Sequence, residues 1–165
     1  MAISPLGETD TVRLCLYQPE IPQNTGTLLR LAACMQVGVD IIRPCGFAVS
    51  DRQLKRSGMD YMDHVDKEFY DSWDVYRSSV EEEERLILLD TQAETSYIDF
   101  EFKPTDRLII GRESDGVPES VYNATDHQVL IPMYPPMRSL NMAISAAMVL
   151  GESLRQTHSF YGGSS

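Results

Sequence analysis

The chain has 165 residues, 42% of them apolar and 24% charged, which is the usage of a folded globular protein rather than a disordered or fibrous one. That length suits one α/β domain with a real core and is short for two. The formal net charge of −11 works against generic affinity for nucleic acid, which comes from Lys and Arg meeting phosphates.

No apolar run approaches the roughly 20 residues needed to span a bilayer, and the start MAISPLGETD lacks the regions of a signal peptide. The expectation is a cytoplasmic protein of a single domain over 1–165, with its core over about 12–156 and loose ends at 1–11 and 159–165. Cys15, Cys34 and Cys45 lie in or beside apolar stretches without CxxC spacing and read as buried thiols; the scattered His64, His127 and His158 predict no metal. Much of the acid is local, at 81–84. Arg43, Arg52, Lys55 and Arg56 gather elsewhere as either a basic patch or an ordinary solvated face.

In chain order, VRLCLY (12–17) has the length of a buried strand. QPEIPQ makes a loop, and Asn24 is a candidate N-cap for a helix burying Leu28, Leu31, Ala32 and Met35. Gly38 is expected to close that helix, and Val39, Ile41 and Ile42 open a second strand ended by Pro44 and Gly46. The polar segment 46–63 suggests one helical turn, and 71–84 reads as a helix packing Trp73, Val75, Tyr76 and Val80. LILLD (86–90) and RLIIG (107–111) have the near-continuous apolarity of parallel strands covered on both faces. VLIP (129–132) is a last strand, followed by the loop MYPPMR and a long helix over 139–156. Strands alternating with helices predict an open, mainly parallel α/β sheet.

Three motifs stand where such a sheet binds ligands. NTGTLLR places Asn24 and Arg30 near the amino end of a helix, where free N–H groups favour an anion; capping and a surface charge explain them equally. GRESDGVP follows a buried strand, with Gly111 and Gly116 permitting close backbone approach and Pro118 suiting the next helix; a plain strand-to-helix turn with Glu113 exposed fits as well. IPM (131–133) through RSLN (138–141) leads into a helix with small residues at Ala143, Ala146, Ala147 and Gly151, and Ser139 is a candidate cap.

In order, these segments resemble the signatures of the SpoU/TrmH (SPOUT) family of RNA 2′-O-methyltransferases: N-x-G-x-x-x-R, G-x-E-x-x-G-x-P and S-L-N. The likeness runs from about residue 12 to 156. The opening LYQPEIPQNTGTLLRLAACMQVGVDIIRPCGF is especially similar to the TrmL branch, which modifies the tRNA wobble position. The resemblance implies a deep C-terminal trefoil knot and S-adenosyl-L-methionine as methyl donor, held through backbone groups at Leu89, Gly111, Ile131, Met133, Ser139 and Leu140. It further implies a homodimer that buries the last helix and completes each site, no extra N-terminal RNA-binding domain, and a tRNA anticodon stem-loop as partner. Methylation of the ribose 2′-OH of cytidine or uridine 34, in leucine isoacceptors, is the expected reaction.

The implied catalytic group is Arg30 with Asn24, Glu113 and Asn141. A guanidinium with pKa above about 12 is a poor base, so Arg30 is expected to bind phosphate and stabilise developing alkoxide charge, with Glu113 orienting it. Candidate RNA contacts are Arg138, Arg43, Arg52, Lys55 and Arg56. Arg112 departs from the Pro common in the branch, and a contact with RNA or cofactor is the expectation there. Other readings are methylation at another tRNA or rRNA position and an RNA-binding knot protein without catalysis. A nucleotide-dependent oxidoreductase would need GxGxxG where this chain has PQNTG.

Overall fold

The computed structural model describes residues 11–48 and 62–162. Among these residues seven strands form one sheet in the order β3-β2-β1-β6-β4-β7-β5, and every neighbouring pair is parallel. They are β1 (Arg13–Tyr17), β2 (Gly38–Ile42), β3 (Lys67–Tyr70), β4 (Leu86–Leu89), β5 (Thr95–Ser96), β6 (Arg107–Ile110) and β7 (His127–Leu130). Among the described residues, four α-helices accompany them: α1 (Pro22–Met35), α2 (Trp73–Ser79), α3 (Glu119–Ala124) and α4 (Met142–Gln156).

The central strands are apolar throughout because both faces are covered. Leu14 and Leu16 of β1 pack with α1 and α4, whereas Cys15 and Tyr17 turn to the other face, with Tyr76 of α2 and Val121 of α3. The chain steps outward from β1 to β3, then resumes on the far side of β1 with β4, and β6 inserts between the two halves. A reversal of that kind leaves a crevice beyond the carboxyl ends of the strands.

Several local expectations are corrected. α1 starts at Pro22 with Ile21 as N-cap, two residues ahead of Asn24, because proline at the first position presets the helical φ. Gln36, not Gly38, ends the helix: it adopts φ 55° and its amide donates to the carbonyl of Ala33 at 2.9 Å. Gly38 instead opens β2, where a Cβ would lie 2.0 Å from the Arg13 guanidinium. The helix expected over 71–84 is only α2, capped by Ser72. The last helix is capped by Asn141 rather than Ser139, its side-chain oxygen accepting from the N–H groups of Ala143 and Ile144 at 2.8 and 3.2 Å. Strands β3 and β5 and helix α3 are too short or too charged to show a period. Cys15 is buried as expected, but Cys45 is half-buried and Cys34 exposed. Among the described residues, no helix is long and apolar enough to cross a membrane.

The amino edge of the sheet is closed by charge. Asp40, fully buried on β2, accepts from Arg13 Nη2 at 2.7 Å and from Arg107 Nη1 at 2.8 Å. Arg107 also donates to Glu84 at 2.6 Å, and Arg13 to Asp66. Burial alone would lower the pKa of both arginines, yet hydrogen bonds and attraction from these carboxylates hold both above their ordinary value. Breaking such a pair from one side leaves an unmatched buried charge. Asp40→Asn should therefore cost about 3 kcal/mol or more of unfolding free energy, seen as a lower urea midpoint with an unchanged slope; a cost below about 1 kcal/mol would show the cluster to be dispensable.

Candidate active site

The loops after β1, β4, β6 and β7 gather at the carboxyl edge of the sheet around a cleft of about 630 Å³. Ile21 and Asn24 line it from α1, Leu89 to Gln92 from the loop after β4, Gly111 to Val117 from the loop after β6, and Ser139 to Met142 with Ser145 from the start of α4. A smaller cavity of about 70 Å³ adjoins it, sharing Leu89, Asp90, Thr91 and Ser145 and adding Ile131 and Met133. All six residues expected to hold the methyl donor thus line one or other of two contiguous cavities.

The loop after β6 is a tight turn closed by reciprocal bonds between Arg112 and Gly116, with N···O distances of 2.9 and 3.1 Å. Two glycines are needed there. A Cβ on Gly111 would lie 2.7 Å from the Cα of Gly116, and Gly116 itself has φ +67°. The turn thereby presents bare backbone to the cleft.

Glu113 reaches from this turn to the start of α1, 93 residues away from Glu20 in sequence. Its carboxylate accepts from the N–H of Glu20 at 2.8 Å and of Ile21 at 3.1 Å, and from the Asn24 side-chain amide at 3.5 Å. Ile21 offers α1 no side-chain cap, so Glu113 satisfies backbone donors at the helix start from outside, where negative charge also suits the helix dipole. Asn24 in turn accepts from the Asn141 amide at 3.1 Å, and Asn141 caps α4. Glu113, Asn24 and Asn141 therefore form a continuous chain joining the amino ends of both helices.

Arg30 is placed differently. Six residues beyond Asn24 make about 1.7 turns, so it does not share that residue's side: Asn24 is buried, while Arg30 is exposed and outside the cleft lining. Arg112 folds back on the protein, donating to Gln18 Oε1 at 3.1 Å, pairing with Asp115 at 2.9 Å and lying over the Tyr17 ring at 5.4 Å. Arg138 is exposed on the loop leading to α4. Arg43 pairs with Asp71 at 3.3 Å and covers the Phe69 ring. Arg52, Lys55 and Arg56 lie outside the described residues.

Asp90, Thr91 and Gln92 were not singled out in the sequence, although LILLD ends there and ligands collect beyond strand ends. Asp90 holds its loop in an Asx turn, accepting from the N–H of Gln92 at 2.7 Å. The apolar walls at Leu88, Leu89, Ile110, Leu140 and Met142, with a rim of carboxylate, hydroxyl and amide groups, give a donor set that fits a nucleoside-bearing cofactor. Among the described residues, no group of three or more His, Cys, Asp or Glu side chains could hold a metal ion.

Known proteins match this arrangement. The SpoU rRNA Methylase family profile covers residues 11–151. A tRNA (cytidine(34)-2′-O)-methyltransferase of Beijerinckia indica subsp. indica is 56% identical over 144 residues, spanning 87% of this chain and 90% of that protein. A solved structure described as giving structural insights into the 2-OH methylation of C/U34 on tRNA superposes with a TM-score of 0.84 at 38% identity, over 89% of this chain and 96% of that one. The SpoU methyltransferase AviRb of Streptomyces viridochromogenes, solved in complex with the cofactor AdoMet, superposes with a TM-score of 0.78 at 25% identity, over 90% of this chain and 61% of that one. With that profile spanning most of its length and a relative 56% identical across most of both chains, the chain belongs to the SpoU rRNA Methylase family.

Proposed function

We propose that this chain transfers a methyl group from S-adenosyl-L-methionine to the ribose 2′-OH of nucleotide 34, cytidine or uridine, in the anticodon stem-loop of tRNA, with leucine isoacceptors as substrates in the cytosol. One observation carries the reading: the six donor-binding candidates line two adjoining cavities at the reversal point of the sheet, directly beside the chain formed by Glu113, Asn24 and Asn141. The name of the Beijerinckia relative supports the choice of substrate. Entry of Ser139, Leu140 and Asn141 into the same cleft as the loops after β4 and β6 supports a threaded, knotted C-terminal segment.

When bound, the donor supplies an electrophilic methyl group on a sulfonium. The protein's part is to align a ribose hydroxyl and manage the charge that develops on it. Arg30 binds the adjoining phosphate and stabilises the developing alkoxide while the hydroxyl proton passes to phosphate or water, as the oxygen–methyl bond forms and the sulfur–methyl bond breaks. Glu113 acts on it through α1, by fixing the first turn of the helix that carries it. The exposed Arg138 extends the cationic contact along the RNA backbone.

The site works as a homodimer. Arg30 stands outside the cleft lining of its own chain, and α4 turns Ile144 (54% exposed) and Met148 (39%) outward beside the exposed Leu140. Of the small residues on α4, Ala143 and Ala146 are buried in the chain's own core with α1. Large apolar side chains carry the outer face instead.

Incubated with radiolabelled donor and tRNA lacking the modification, the protein should place label on the ribose of nucleotide 34; label at another position would reject this substrate, and binding of donor without transfer to any RNA would leave a non-catalytic protein. Arg30→Lys should lower kcat by about 100-fold with donor binding unchanged, whereas near-normal turnover with an unshifted pH profile would exclude a fork-shaped role. Ile144→Glu should convert a dimer to a monomer by light scattering and abolish transfer; a wild-type protein that scatters as a monomer at micromolar concentration would overturn the shared site.

A further inference from the structure

We propose that Glu20 is a positioning residue for methyl transfer, holding the tip of the cofactor loop at residues 113–115 against the turn that precedes α1. The proposal rests on the methyltransferase reading above.

Glu20 does not line the cleft. It stands behind it, and its Oε1 accepts from both the backbone N–H and the hydroxyl of Ser114, at 3.1 and 2.7 Å. The bond in the opposite sense is the one already described, in which the Glu113 carboxylate accepts from the N–H of Glu20 at 2.8 Å. Two neighbouring strand-end loops thus each offer a carboxylate to the other's backbone, and charge-assisted bonds of this kind are stronger than neutral ones.

The two sides of this clasp differ in how firmly they are held. The turn at 18–21 is anchored to the sheet: the N–H of Gln18 donates to Ile42 at 3.0 Å and the N–H of Gly46 to Pro19 at 2.9 Å. Gln18 itself takes φ 44°, a conformation a non-glycine residue keeps only where its surroundings enforce it. The loop after β6, by contrast, is closed at its base by Arg112 and Gly116 and bridged within itself by Arg112 and Asp115, and Ser114 and Asp115 at its tip are exposed. Without Glu20, Ser114 loses both of its bonds to the anchored turn, and the tip is tied to it through Glu113 and, by way of Asp115 and Arg112, through Gln18. That loop forms one wall of the cleft, and the turn begins the helix carrying Asn24 and Arg30. Glu20 therefore sets the spacing between donor and acceptor sides of the reaction, where displacement of a reacting atom is costly.

Three variants test this in the intact chain: Glu20→Ala removes the oxygen that accepts both bonds, Glu20→Gln keeps an oxygen in place, and Ser114→Ala removes only the hydroxyl. In donor-free protein, Glu20→Ala should lose protection of the Ser114 amide against hydrogen exchange, while Glu20→Gln keeps most of it. By calorimetry Glu20→Ala should weaken binding of S-adenosyl-L-methionine about tenfold and lower kcat at saturating donor about tenfold or more, with KM for RNA nearly unchanged. Glu20→Gln should stay within about threefold on each measure, and Ser114→Ala, which gives up one of the two bonds, should fall between Glu20→Gln and Glu20→Ala. Equal donor affinity and kcat in wild type and Glu20→Ala would overturn the proposal alone, as would equal loss in Glu20→Ala and Glu20→Gln. Should Glu20→Ala fail to fold, full donor affinity and Ser114 amide protection in Glu20→Gln together with a partial loss of both in Ser114→Ala would support it, and loss in Glu20→Gln or none in Ser114→Ala would overturn it. A wild-type protein that binds no donor would overturn the methyltransferase reading and this inference with it.

Discussion

The carboxyl edge of the sheet depends on one carboxylate meeting the open end of a helix. α1 starts without a side-chain cap of its own, and Glu113 supplies the acceptor from a loop far along the chain. An ionised group there satisfies orphan N–H donors and sits at the favourable end of the helix dipole. Because the same carboxylate also reaches Asn24, and Asn24 reaches Asn141, the position of each helix start is tied to the position of the glycine turn. The cleft between them is a consequence of that linkage rather than a separate construction.

The opposite edge is built on a different principle. There the strands are locked by Asp40 between two arginines, inside an otherwise apolar sheet. Gly38 is part of the same device, since its lack of a side chain lets Arg13 lie flat across the start of β2. Stability and chemistry are thereby separated to the two ends of the same strands, so the loops at the carboxyl edge can be tuned for ligand without disturbing the charged lock.

Much of this was legible in the sequence. Continuous apolar runs in β1, β4 and β6 announced parallel strands, and the motif residues could be assigned to one edge because all of them follow strand ends. Local rules misplaced the helix boundaries where a distant residue intervened. Asn24 has the chemistry of an N-cap, but its amide is spent on Glu113 and Asn141, and Pro22 starts the helix earlier. Gly38 looked like a helix stop because nothing in its neighbourhood reveals that Arg13 must pass over it. Arg112 lines the cleft, as a ligand contact would, but its pairing with Gln18 and Asp115 could not be read from its neighbours in sequence. Glu20 escaped notice altogether, since its partner is 94 residues away and no local period marks it.

The three cysteines, left out of the chemistry, divide by depth in a way that makes the fold self-reporting. Cys34 faces solvent on α1, whereas Cys15 is sealed within the central strand, its thiol pKa pushed up first by burial and then by the charge of Asp40. Only a thiolate is readily alkylated. A reagent offered to the native protein therefore takes Cys34 first and the half-buried Cys45 after it, and waits for the sheet to open before it can reach Cys15, so the last modification times the opening of the whole core.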